Sequence, residues 1–233
     1  MKKPSPDAPF GEKSAASYDQ RFAKLAPMKA ALHLMAHLAL EPLGLEARIL
    51  CVGVGTGAEL LYLGKAFPGW RFVGVEPSGP MLAQCRGRLE DAGLSERVEL
   101  HEGYLDSLPA TAPFDGATSI LVSHFLLEAE QRRAYFGGIA QRLRPGGLLV
   151  SAAMAADPAP EAYGALVDLW VRSWVFAEMP EKRVQGFKPS IGKGLALFPP
   201  AEIEQILSDS GFAQPVQIYQ ALLMHGWVAR RGI

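Results

Sequence analysis

The stretch Ile49-Leu50-Cys51-Val52-Gly53-Val54-Gly55-Thr56-Gly57 restricts this chain more than any other segment. Its unbroken apolar run reads as a strand buried on both faces, and a helical pattern from Glu59 to Phe67 follows the last glycine at once. Glycines are needed there because the chain turns sharply, a ligand can approach the backbone with no Cβ in the way, and the helix packs close to the sheet. The helix N-terminus then presents free N–H groups to a carboxylate or phosphate. Gly53, Gly55 and Ala58 also satisfy a dinucleotide-type Gly-x-Gly-x-x-Ala pattern, so the loop alone leaves its ligand open.

A second strand, Arg71 to Val75, runs into Glu76, nineteen residues beyond Gly57. A carboxylate at that strand end can accept hydrogen bonds from both hydroxyls of a ribose. Together, loop and acid point to an adenosine-containing ligand.

The same alternation continues along the chain. Helix Met81 to Ala92, strand Val98 to His101, strand Ala117 to Ser123, helix Gln131 to Leu143 and strand Leu148 to Ala152 predict right-handed crossovers and a parallel sheet covered on both faces. Ahead of it, Ser17 to Leu40 carries a helical pattern that Pro27 splits in two. After it, Glu161 to Met179 is apolar nearly all the way round a helix, which requires burial on more than one side, as a lid, an inter-subunit contact, or both. Glu181 to Leu197 is basic and Gly-rich and reads as a long loop. Pro199 and Pro200 introduce a helix, Glu202 to Ser210, stopped by Gly211. Val216 to Tyr219 and Leu222 to Ala229 close the chain as two strands able to pair antiparallel. No second composition regime appears, so residues 1–233 read as one domain. Met1 to Glu12 reads as a frayed tail, and residues 158–198 as a helical lid and loop insertion.

Composition narrows the partners. A net charge of −1 gives no positive field to hold a nucleic-acid backbone non-specifically. Two cysteines, Cys51 and Cys85, are too few for a disulfide framework or a zinc cluster and fit a reducing cytoplasm. The longest helical apolar stretch, Met28 to Leu40, is broken by His33 and His37 and is too short to span a bilayer. Those two histidines stand four apart with no third ligand beside them, so no metal site is expected.

With Gly74-Val75-Glu76-Pro77-Ser78, Met81-Leu82 and Leu143-Arg144-Pro145-Gly146-Gly147 before a strand, the glycine loop resembles that of the class I S-adenosylmethionine-dependent methyltransferases, over roughly Ile49 to Ala153. The resemblance implies a Rossmann-like seven-stranded sheet, mostly parallel with the last strand antiparallel, helices on both faces, and a helical lid. It implies S-adenosyl-L-methionine as methyl donor and a small-molecule acceptor. By the same resemblance Gly53, Gly55 and Gly57 border the methionine part of the donor, Glu76 takes the ribose hydroxyls, and Pro77 and Met81 lie near the adenine. Tyr104, Leu105 and Val122 complete the donor-binding set, and Tyr18 and Arg21 belong to a segment that closes over it, Arg21 facing the donor carboxylate or a surface partner.

Two positions depart from the family pattern. Cys51 stands where an acid is usual, and Gly103-Tyr104 where Gly-Asp is common, so that a carboxylate for the adenine amino group falls to Asp106 unless that residue is a solvated turn. A weaker likeness to the carboxy-S-adenosylmethionine synthases of tRNA wobble-uridine modification rests on Ser119-Ile120-Leu121-Val122, Arg144-Pro145-Gly146-Gly147, Lys182-Arg183 and Gly211-Phe212. That group has a Ser-Leu variant of the loop, whereas this chain keeps Gly-Thr-Gly, which favours an ordinary methyl donor.

Methyl transfer is an in-line displacement at a sulfonium carbon, needing alignment and a dry site more than a metal. His124 stands where the substrate pocket would open, as a base for an acidic nucleophile or as a histidine bonded at a strand end. Phe125, Trp170, Trp174 and Arg183 are the candidate acceptor and lid residues, with a homodimer contact through the Trp-rich helix as the alternative. A nicotinamide oxidoreductase would need another nucleotide-binding half. A non-catalytic adenosyl-ligand-binding protein remains open because of Cys51.

Overall fold

The computed structural model describes residues 10–158 and 161–232, without the side chains of residues 13 and 14. Short helices α1 (Glu12–Ala16) and α2 (Tyr18–Arg21) lead into α3 (Ala26–Leu40), which starts at Pro27 as its first turn tolerates a missing N–H. Strands β1 (Arg48–Val52), β2 (Arg71–Glu76) and β3 (Val98–Glu102) alternate with α4 (Ala58–Ala66) and α5 (Gly79–Asp91). β4 (Phe114–Ile120), α6 (Ala129–Arg142) and β5 (Leu143–Met154) continue the pattern. Then come α7 (Ala162–Phe176), α8 (Glu181–Ser190), α9 (Pro200–Asp209), β6 (Phe212–Ala221) and β7 (Met224–Arg231).

The seven strands form one sheet in the order β3-β2-β1-β4-β5-β7-β6, with β7 antiparallel to both neighbours. The expected Rossmann-like sheet is therefore present. Within each apolar strand the period of two divides residues between faces. Leu50 and Val52 join Phe136, Ile139 and Ile206 on one side, while Ile49 and Cys51 join Leu60, Leu63 and Leu89 on the other. Both faces are covered, as a parallel sheet requires.

Strand order reverses between β1 and β4, and at such a switch point the carboxyl ends of adjacent strands diverge to leave a crevice. A third apolar cluster caps that end, built from Val167 and Trp170 of α7, Phe187 of α8, and Met154, Leu223 and Met224.

Three expectations change. Glu181 to Ser190 is a helix, because the Val184 and Phe187 side chains, three apart, turn inward against α7 and its flank, a gain that tertiary burial supplies and local propensity does not. The fourth strand ends at Ile120 rather than Ser123, since Leu121 takes a left-handed φ of 59° and Ser123–Phe125 forms a 3-10 turn. Residues 10–12 are not a tail. Phe10 packs edge-on against Phe125 at 5.6 Å between centroids, its carbonyl accepts the Ser78 hydroxyl at 2.7 Å, and Glu12 opens α1. Residues 1–9 of the expected tail lie outside the described residues. Among the described residues no helix is long and apolar enough to cross a membrane.

Candidate active site

Register builds the first half of the site. Val52 of β1 lies opposite Val75 of β2, so the glycine loop emerges level with Glu76. The Gly53 and Val54 N–H groups both donate to the Val75 carbonyl, at 2.8 and 3.1 Å. The Gly55 N–H donates to one Glu76 carboxylate oxygen at 3.0 Å, and the Ser78 N–H donates to the other at 2.9 Å. Burial pushes the Glu76 carboxyl up while those two donors pull it down, with burial the larger. Each oxygen keeps lone pairs to offer a ligand.

The loop has φ of +74° at Gly53, +56° at Gly55 and +80° at Gly57, all left-handed. At Gly53 a Cβ would run into the Val122 side chain, and at Gly57 it would lie 2.6 Å from the Cys85 sulfur. Gly53→Ala therefore combines a disfavoured backbone with overpacking against β4's exit turn. It is expected to cost about 2–4 kcal/mol of stability, read as a lower urea midpoint at unchanged slope. A shift under about 0.5 kcal/mol would mean that the turn relaxes freely.

α2 is strapped onto the loop. Asp19 accepts the Thr56 hydroxyl at 3.2 Å and pairs with Arg88 at 2.7 Å, and Arg88 also donates to the Thr56 carbonyl. This holds Tyr18 over the crevice, where burial raises its phenol pKa and Arg183 and Arg21 oppose the rise.

The crevice is one continuous cavity of about 950 Å³. Its walls include Gly53, Gly55, Glu76, Pro77, Met81, Tyr104, Leu105, Val122 and Tyr18 together with His124, Phe125, Trp170, Trp174 and Arg183. Asp106 also lines it, and Tyr104 and Phe125 stand half-exposed at its rim. The volume is at the upper end for a single small ligand, which leaves room for a donor and an acceptor together.

Two expected donor-binding residues do not line the cavity. Gly57 is the N-cap of α4 and packs on Cys85. Arg21 lies outside the lining, beside Arg183, whose charge together with burial lowers the Arg21 pKa. Arg183, from the segment read as loop, reaches the cavity wall, as does Arg142.

His124 is buried, and its Nδ1 accepts the Met154 backbone N–H at 3.4 Å, which places the ring proton on Nε2. Burial and the nearby Arg132 push its pKa down to about 3. Such an imidazole stays neutral throughout the physiological range and its acceptor nitrogen is occupied, so the general base expected of His124 is not what this geometry offers. What it offers the cavity is an N–H donor.

Sequence reasoning missed several wall residues, above all Glu59, Lys29 and His33. Glu59 had a signal: a chain lacking the usual acid at position 51 carries one two residues after Gly57. That carboxylate accepts the Thr118 hydroxyl at 2.5 Å, and the Cys51 thiol lies within its electrostatic reach. His33 and His37 face Tyr62 and Phe67 instead of converging on an ion.

Comparison with known proteins agrees with this geometry. A model of the methyltransferase domain family matches residues 49–147. Residues 49–147 are thus similar to the methyltransferase domain, in keeping with the class I S-adenosylmethionine-dependent pattern of the glycine loop and Glu76. Aclacinomycin 10-hydroxylase RdmB of Streptomyces purpurascens is 34% identical over 127 residues, covering 52% of this chain and 32% of that protein. Cypemycin N-terminal methyltransferase of Streptomyces sp is 37% identical over 100 residues, 42% of this chain and 38% of its own length. The methyltransferase domain thus spans well under half of these relatives. The solved structure of the S-adenosylmethionine-dependent methyltransferase SibL in its apo form superimposes with a TM-score of 0.64 at 19% identity, over 95% of this chain and 57% of that one, a likeness of fold.

Proposed function

We propose that this chain binds S-adenosyl-L-methionine and transfers its methyl group to a small, largely apolar acceptor held beneath α7. The supporting observation is that one continuous cavity is lined both by the glycine loop and Glu76 and by Trp170, Trp174, His124 and Arg183. The loop fits the donor because Gly53 and Gly55 line the cavity with bare backbone, and Glu76 has both oxygens oriented by backbone N–H groups. When bound, the donor supplies an electrophilic methyl group on a sulfonium.

The chain's own residues do the rest. Tyr18 and the α2 strap close the donor end, and α7 with α8 keeps water from the acceptor end. The His124 Nε2–H and the Arg183 guanidinium favour an acceptor with a carbonyl, phenolate or carboxylate oxygen. With the His124 Nδ1 occupied and its basicity low, the acceptor's nucleophile is ionised by its own acidity, carries a free lone pair, or loses its proton to another group of the wall.

A second reading, an adenosyl-ligand-binding protein that transfers no methyl group, draws on the absence of a base at His124 and on the relative named a hydroxylase. Calorimetry should show S-adenosylhomocysteine binding and NAD failing to bind. Hydrogen exchange across residues 170–176 should slow when the ligand is added, and a panel of apolar phenols and carboxylates should yield methylated product. Binding without any product would favour the second reading. Exchange that is unchanged by ligand would remove the lid role of α7.

A further inference from the structure

Glu59 and Lys29 project into the donor end of the cavity from facing elements, α4 and α3. The Glu59 side chain is buried under the glycine loop, two residues past Gly57, and is held there by the Thr118 hydroxyl. Lys29 lies with its Nζ 5.8 Å from the Tyr18 ring centroid and has no ion pair among the described residues, Glu59 included. Burial lowers the Lys29 pKa, Asp19 opposes that more than Glu59 does, and Arg88 adds to it, so Lys29 and Glu59 feel each other's charge without forming an ion pair. A carboxylate and an ammonium lining one space in this way complement a zwitterion, the charge pattern of an α-amino acid.

We infer that Glu59 receives the ammonium and Lys29 the carboxylate of the donor's amino-acid end, Glu59 acting from the helix in place of the acid that position 51 lacks. The inference rests on the donor reading above and adds the residues that would select a full amino-acid tail. Geometry decides the assignment. Cys51 is fully buried on β1 and does not line the cavity, so it has nothing to offer a cation there, whereas Glu59 reaches the cavity wall.

Electrostatics add a consequence. Burial pushes the Glu59 carboxyl up to about 7, opposed by Thr118, Lys29 and Cys51. The other titratable groups in electrostatic reach are Cys85 on α5, pushed up to about 12, and Tyr135 on α6, raised above its ordinary value, so neither changes charge near neutrality. His33, held down at about 4, stays neutral as well. Raising the pH ionises Glu59 and should strengthen capture of an ammonium.

The test compares S-adenosylhomocysteine with 5′-methylthioadenosine, which shares the adenosyl group and lacks the amino-acid tail. Glu59→Gln keeps the size and an acceptor for Thr118 but removes the charge. It should lower affinity for S-adenosylhomocysteine about ten- to a hundredfold and leave 5′-methylthioadenosine within about twofold. Lys29→Met should show the same selective loss. Equal losses for both ligands, or none for either, would overturn the assignment and leave Glu59 as an internal brace. Should Glu59→Gln fail to fold, the unmodified protein answers. Its affinity ratio for the two ligands should rise about five- to tenfold from pH 6 to 7.5, following a carboxyl of pKa about 7, and a flat ratio would overturn the inference. If the unmodified protein binds neither ligand, the donor reading falls first and this assignment with it.

Discussion

Glu76→Ala should abolish measurable donor binding at micromolar concentrations while leaving a folded protein. The Glu76 carboxylate accepts the Gly55 N–H at 3.0 Å and the Ser78 N–H at 2.9 Å, so it orients the glycine loop and the start of α5 at once. Alanine leaves both donors without a partner, at about 1–3 kcal/mol for each that stays dry. On the donor reading it also removes two charge-assisted bonds to ribose hydroxyls, about 1.5–3 kcal/mol apiece. The sum predicts a fall of about two to four orders in affinity for S-adenosylhomocysteine by calorimetry. It also predicts a melting temperature lower by about 4–8 °C, from roughly 2 kcal/mol lost in a chain of this size. Glu76→Gln should not rescue it, because the amide NH₂ would face one of the two backbone N–H donors. Unchanged affinity in Glu76→Ala would sink the ribose assignment even if stability dropped.

The largest stability effect is expected at Arg132, whose side chain is fully buried on α6. Its Nε donates to the Leu126 carbonyl at 2.9 Å and its Nη2 to the Ala196 carbonyl at 2.8 Å, while the guanidinium carbon lies 3.9 Å from the Phe198 ring centroid. The Ala196 N–H in turn donates to the His124 carbonyl at 2.8 Å. Arg132 thus stitches the segment after α8 to the turn that carries His124 and Phe125, both cavity walls. Burial lowers its pKa to about 10, which still leaves it charged at neutral pH. Arg132→Met fills similar space but strands two carbonyls and forfeits the ring contact, an expected cost of about 3–5 kcal/mol in urea denaturation. Arg132→Lys should recover little of it, since one ammonium on a flexible stem cannot span both carbonyls in the plane of the ring. A loss below about 1 kcal/mol in Arg132→Met would show that the two carbonyls find water, and the bracing role would fall.

Much of the donor end was legible along the chain because it depends on short-range geometry. Gly53, Gly55 and Glu76 lie at strand ends, and parallel register alone brings strand ends level. His124 was legible as a position and not as a chemical group. Its place past β4 follows from the alternation, but its low pKa comes from full burial and from Arg132, which the packed fold supplies. The α8 helix was hidden for a related reason. Gly186 and Pro189 read as loop chemistry, and the helix persists because Phe187 is buried against Trp170 and Trp174.

By itself the sequence determined the sheet, its crossovers and the glycine turn, because apolar periodicity and the absence of a Cβ act within a few residues of chain. Only the tertiary structure decided which charges share the cavity. It took Arg21 off the wall and put Arg183 on it, brought Phe10 onto Phe125, and set Glu59 against Thr118 at the cavity wall. Electrostatic environment is set by groups distant in sequence and by exclusion of water, and both exist only once the helices have packed on the sheet.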